Sequence, residues 1–258
     1  MIPAEISSKR TVPLAATFAA VYGILRLVPI FVMIGGSGRV FSTTEFVAPL
    51  LGIILGPYVG SVAAVIGTFL GIMFTGRMNF FGLDFLPSMM NALVLGLLMR
   101  RRRIVAVTLY SALVVLFFVH PSTLHFASVP FSGGTVSIPF VWLQIISLAL
   151  FVSPLSTKSV EWISGGSEKK RMIAACLLSL FGTTAQQLTG TLLFASMAVP
   201  LMGMTPKALA ATWAAVFYTY PIERLAIILP AATVITAAVA KTIQSARLFH
   251  TPNQTAPR

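Results

Sequence analysis

What most constrains this chain is a succession of apolar runs separated by short clusters of charge, glycine and proline. A helix needs about 20 predominantly apolar residues to cross the hydrocarbon core of a bilayer, fewer where it is tilted or re-entrant. Several runs reach that length. Only 9% of the 258 residues are charged and 57% are hydrophobic, whereas a soluble domain carries about 25% charged residues. The apolar residues form continuous runs and not amphipathic stripes, so lipid is the expected solvent. The formal charge of +12 does not point to nucleic acid. Its basic residues cluster between apolar runs, and no polar basic face tracks phosphates.

The runs predict spans over 12–34, 46–56, 58–75, 84–99, 104–119, 138–155, 172–198 and 208–240. Lys9 and Arg10 before the first run resemble the start of a signal peptide. That run continues to about Met33, too long for an h-region, so an uncleaved first span is expected. Gly56-Pro57 and Gly60 break the second apolar region with a tight bend. The segment from His120 to Ser137 is rich in Pro, Ser, Gly and Thr and reads as a loop. Pro221 and Pro230 are expected to break or kink the long last run.

The fold class that follows is an all-α integral membrane protein, a polytopic bundle of about 6–8 transmembrane helices. Residues 1–240 are read as a single transmembrane domain and 241–258 as a polar cytoplasmic tail. Placing Lys9 and Arg10 inside puts Arg100–Arg103, the Lys158–Arg171 cluster and the tail inside as well. Arg39, Arg77 and Lys207 then fall in outer loops, so N-in and C-in satisfies the positive-inside bias. The expected location is the cell membrane, multi-pass.

Charged groups inside spans are the most informative residues, because each costs roughly 2.5–3.5 kcal/mol at a helix centre unless it finds a partner or a wet cavity. Arg26 lies in the first span, and Glu223 and Arg224 lie in the last. Neighbours at i, i+1 diverge on a helix, so Arg26 with Glu223 is the expected interhelical ion pair. Such a pair locks helices together or contacts a ligand, and both roles stay open. A second group gathers on the outer side: Arg39, Glu45, Arg77, Asn79 and Asp84, with Asn91 deeper. Its mixed charges and amides beside Phe80, Phe81 and Phe85 suit a small zwitterionic or anionic organic molecule. Gln144, Gln186, Gln187, Trp213 and Tyr220 offer further hydrogen bonds and stacking, or act as helix glue.

Small residues repeat every four positions at Ala15, Ala19 and Gly23, at Ala16 and Ala20, and at Gly56, Gly60 and Ala64. Such strips let helices approach closely, within the chain or against a partner. Catalytic motifs are scarce. Gly35-Gly36-Ser37-Gly38 matches a serine-protease pattern, but His120 and His125 lie far along the chain, and a nucleophile needs its base within hydrogen-bond reach. There is no nucleotide-binding P-loop and no paired-acid metal motif. No enzymatic activity, cofactor or metal is expected.

Three stretches carry a family resemblance: Pro13-Leu14-Ala15-Ala16-Thr17-Phe18-Ala19-Ala20, the run from Phe46 through Leu55-Gly56-Pro57-Tyr58-Val59-Gly60, and the glycine-spaced helix through Gly67 and Gly71. Over about its first hundred residues, on this reading of the spans, the chain resembles the substrate-binding membrane subunits (S components) of energy-coupling factor transporters. The resemblance implies high-affinity binding of a vitamin-like micronutrient from outside. It also implies docking onto a transmembrane coupling protein driven by two cytoplasmic ATPase subunits. In that family an Ala-x-x-x-Ala surface of the first helix meets the coupling protein, which Ala15 and Ala19, or Ala16 and Ala20, match here. Metal-transporting members carry an N-terminal histidine motif that Met1-Ile2-Pro3-Ala4 lacks, so an organic ligand is expected. The alternatives are a self-sufficient secondary transporter coupled to protons through Glu223, and an intramembrane enzyme or membrane scaffold.

Overall fold

The computed structural model describes residues 8–32 and 40–245. Among these are ten α-helices and two short antiparallel hairpins. Helix α1 (Ser8–Leu25) leads to strands β1 (Pro29–Val32) and β2 (Val40–Ser42), then α2 (Thr44–Leu55), α3 (Pro57–Thr75), α4 (Phe85–Met99) and α5 (Arg103–Val119). Strands β3 (Phe126–Phe131) and β4 (Gly134–Pro139) follow, then α6 (Trp142–Val152), α7 (Leu155–Gly165) and α8 (Glu168–Ala198). The chain closes with α9 (Pro206–Ile222), a π-helical stretch (Glu223–Ile228) and α10 (Leu229–Ser245).

The α2–α3 junction has the tight form the sequence implied. Gly56 adopts φ +80°, a conformation costly for residues with a Cβ, and Pro57 starts the next helix where its missing N–H is no loss. Helix α3 then ends on Gly76, left-handed at φ +65°, whose N–H reaches Ile72 O at 2.7 Å.

Helix α4 is the hub. It packs against α2, α3, α5 and α8, while α1 covers α3 and α8 carries α7 and α10. Close approach depends on residues without side chains. A methyl at Gly96 would overlap the backbone of Gly56 and Pro57, and one at Gly67 would meet Ala19 O at 2.7 Å. One core cluster joins Leu95, Leu98, Tyr110, Phe117, Phe151, Leu178 and Phe181, and a smaller one joins Ala19, Tyr22, Leu51 and Ala64.

Three helices among the described residues are long and apolar enough to cross a membrane: Pro57–Thr75, Glu168–Ala198 and the continuous Pro206–Ser245. The pair α6 and α7 passes the same test together but is bent by 74°. Four expectations change. The run 12–34 is not one helix, because α1 stops at Leu25 and Pro29, which has no N–H to give, opens β1. The 120–137 loop contains the β3–β4 hairpin, its turn closed by Ser132 and Gly133 at positive φ. The charged segment between the expected spans 138–155 and 172–198, which reads as a loop, forms helix α7, set at 74° to α6, and the first turn of α8.

The last run is neither broken nor ended at 240. Pro221 and Pro230 are absorbed in a helix of 40 residues. The π-helical turns begin two residues after Pro221, where the proline's missing N–H has loosened the ladder. Lys241–Ser245 continue α10. The tail from 246, and the loop 33–39, lie outside the described residues.

Candidate functional site

A cavity enclosing about 960 Å³ of empty space, its open mouth included, lies among α1, α2, α4, α8, α9 and the π-helical stretch, with Phe41 and Ser42 of the β1–β2 hairpin in its wall. It sits at one end of the bundle. Helix α4 runs from Asp84 at the cavity to Arg100 at the opposite end.

That opposite end is basic and tied together by polar contacts. Arg103 donates to the carbonyls of Val152 and Ser153, Arg101 pairs with Glu161 at 3.6 Å, and Arg171 reaches Gln244 Oε1 at 2.5 Å. Lys241 pairs with Glu168 at 3.2 Å.

Two ion pairs organise the cavity. Arg224 Nη1 donates to Glu45 Oε2 at 2.6 Å, and both residues are buried. The other oxygen, Glu45 Oε1, accepts from Gln186 Nε2 at 2.7 Å, and Gln186 Oε1 accepts from Asn91 Nδ2 at 2.7 Å. A single polar chain therefore links α4, α8, α2 and the π-helical stretch. The Arg224 guanidinium also lies 5.3 Å from the centre of the Phe41 ring, a cation–π contact.

Across the cavity Arg26 Nη2 donates to Asp84 Oδ1 at 2.7 Å. Asp84 also accepts the backbone N–H groups of Asn79 (2.7 Å) and Phe80 (2.9 Å), so it fastens the loop before α4 instead of capping the helix. Beside it the Tyr22 hydroxyl and Ser88 Oγ share a short hydrogen bond.

The expected Arg26–Glu223 pair is therefore not formed. The loop before α4 brings Asp84 to Arg26, while Glu45 at the start of α2 meets Arg224, the neighbour of Glu223. Glu223 lines the cavity and makes no hydrogen bond or ion pair with the described residues.

Of the other outer-side candidates, Glu45, Asn79, Asp84 and Arg224 line the cavity, and Asn91 lies fully buried behind Gln186. Arg77 is exposed and does not line it, because α3 ends at Thr75 and the chain turns outward at Gly76. Arg39 lies outside the described residues. Gln186, Gln187, Trp213 and Tyr220 line the cavity, whereas Gln144 is packed behind Tyr220 and accepts its hydroxyl at 3.3 Å.

Sequence reasoning missed Tyr22, Ser88, Thr212, Val216 and Thr219. A signal existed for the last three. Thr212, Trp213, Val216, Thr219, Tyr220 and Glu223 recur at helical spacing on one face of the final run.

The small-residue strips also separate. Ala15 and Ala19 pack inward toward α3, while Ala16 and Ala20 remain exposed beside Val12 and Ile24. Of the two matching registers, only the second leaves a free Ala-x-x-x-Ala surface.

The serine of the protease-like motif, Ser37, lies outside the described residues. His120 does meet a serine, Ser196, at 3.1 Å. Its Nδ1 accepts the Ser122 N–H at 3.2 Å, so Nε2 carries the ring proton and donates to Ser196, which donates in turn to Leu192 O. A general base would need the opposite polarity.

Comparison with family models, curated proteins and solved structures gave no match to this chain.

Proposed function

We propose that this chain is a multi-pass protein of the cell membrane that binds a small organic micronutrient from the outer side, as the substrate-binding subunit of an importer. The observation that carries the proposal is the cavity of mixed charge at the end of the bundle opposite the basic residues. The positive-inside rule puts Arg100–Arg103 and the α7–α8 cluster in the cytoplasm, so the cavity opens outward. Both termini of the helical path, the start of α1 and the end of α10, then lie inside.

Alternating directions make α1 to α6, α8 and the α9–α10 helix up to eight membrane passages. Helices α2 and α6, of 12 and 11 residues, are short for a span; α2 is enclosed by longer helices, while α6 keeps one apolar face, Ile145, Ile146 and Val152, exposed. Short segments are tolerated where protein and not lipid surrounds them. Glu45, Asn79, Asp84, Asn91, Glu223 and Arg224 are the proposed ligand and frame residues, with Arg39 and Arg77 at the entrance.

A binding chain without a nucleotide site needs its energy from elsewhere. We assign that role to a transmembrane coupling protein with cytoplasmic ATPase subunits, docked on the exposed Ala16–Ala20 surface of α1. The resemblance to energy-coupling factor S components supports this assignment.

The test is affinity purification of the tagged chain from its native membrane in mild detergent. The expected outcome is a complex with ATPase activity that is lost when Ala16 and Ala20 are both replaced by Trp. The contrary outcome is a solitary chain whose uptake collapses with an uncoupler while ATP is maintained. That result would identify a proton-coupled carrier, for which the lone carboxylate Glu223 is the natural proton site.

A further inference from the structure

The charge inventory of the cavity names the class of its ligand. Two guanidinium groups, Arg26 and Arg224, line it together with three carboxylates, Glu45, Asp84 and Glu223. Each arginine is already answered by its own carboxylate at 2.6–2.7 Å, and Glu45 and Asp84 also accept from Gln186, Asn79 and Phe80. Glu223 is left over, with no hydrogen bond or ion pair among the described residues. The described lining residues thus hold one carboxylate more than their arginines answer, in a setting where a lone charge is costly. An anion entering the cavity would add a second.

The wall offers one acceptor beyond Glu223. Among the described residues, Gln187 Oε1 is a buried cavity-wall acceptor without a partner, and Arg224 Nε is a buried donor without one. An N–H donor on the ligand would satisfy the Gln187 carbonyl as well as the carboxylate.

The cavity is also polarised along its length. On the α9 side the wall runs from Trp213 to Glu223, ten residues, or about 15 Å at helical rise. On the α8 side it runs from Gln186 and Gln187 to Phe194. Both walls have aromatic rings at one end and amides or carboxylates at the other. Phe80 and Gly190 face one another partway, where the missing side chain of Gly190 leaves room.

We propose that the ligand is an elongated organic monocation. A ring lies against Phe80 beside the contacting rings of Phe194 and Trp213, and a nitrogen-centred positive charge with N–H donors reaches Glu223 and Gln187. This deepens the binding-subunit reading and rests on it. It also replaces the anionic or zwitterionic ligand expected from the sequence, because the two arginines that line the cavity, Arg26 and Arg224, are each paired with a carboxylate of the protein.

The experiment is binding of three probes of matched shape to the purified full-length chain, followed by native mass spectrometry. The probes are 3-phenylpropylammonium, 3-phenylpropionamide and 3-phenylpropionate, tested on wild type and on Glu223→Gln. The expected result is strongest binding of the ammonium probe, weakened at least about tenfold by Glu223→Gln, with the amide probe unchanged. Preferred binding of the carboxylate, or ammonium binding indifferent to Glu223→Gln, overturns the charge assignment and leaves a binding subunit of another specificity. Binding of none of the three, in a chain that also purifies without any small molecule, overturns both this proposal and the binding-subunit reading. Glu223 has no hydrogen-bond or ion-pair partner among the described residues, so thermal stability of Glu223→Gln should match wild type, which separates a lost contact from a lost fold.

Discussion

At the cavity end Arg224 and Glu45 meet at 2.6 Å with side chains only 3% and 11% exposed; at the basic end Lys241 and Glu168 meet at 3.2 Å with 61% and 79% exposed. The residue types are interchangeable on paper, yet their physical situations differ. An exposed pair trades water for a weak, screened attraction and contributes about 0–1 kcal/mol. A buried pair has surrendered its hydration, so each partner depends on the other. At the basic end charge stays in water and holds little together, whereas at the cavity end it is part of the architecture. Among the charged residues described in the cavity wall, Glu223 alone is left without an ion-pair partner.

The sharpest way to break this comparison is Arg224→Met. It strands Glu45 in the interior and should lower unfolding free energy by about 3–5 kcal/mol, read by denaturant titration in bicelles. The double variant Arg224→Met, Glu45→Leu should recover most of that loss, since an apolar pair of similar volume costs little. Next comes Asp84→Ala, which frees Arg26 and two backbone N–H groups at once. A loss of about 2–3 kcal/mol is expected in the same assay.

Packing supplies a smaller effect. Gly96→Ala pushes a methyl into the Gly56–Pro57 junction and should cost about 1–3 kcal/mol through overpacking. The smallest change is Lys241→Ala, expected within about 0.5 kcal/mol of wild type. If Lys241→Ala destabilised as much as Arg224→Met, the contrast between the two ends would fail.

Much of the helical layout is legible in the sequence because hydropathy acts locally. The bend at Gly56-Pro57 and the cluster Arg100–Arg103 closing α4 each follow from adjacent residues. Partner choice is not local. Nothing in the neighbourhood of Arg26 tells that a loop 58 residues away will present Asp84, or that Glu45 will find Arg224 across 179 residues. The burial of Arg26 and Arg224 was visible as charge inside apolar runs, but their pairing depends on how α1, α2 and α4 pack. The hairpins were missed for a related reason. Segments such as Phe126–Phe131 and Gly134–Pro139 pair only with one another, and their Pro, Ser and Gly content reads as loop.

The most direct test of the central claim is mass spectrometry of the small molecules released when the detergent-purified chain is heat-denatured. The expected result is one organic compound, stoichiometric with protein, carrying a ring and a single positive charge, and lost from Arg224→Met. A chain that emerges empty from cells supplied with the common micronutrients, and stays empty when incubated with an extract of them, would contradict the claim that this cavity is a binding site.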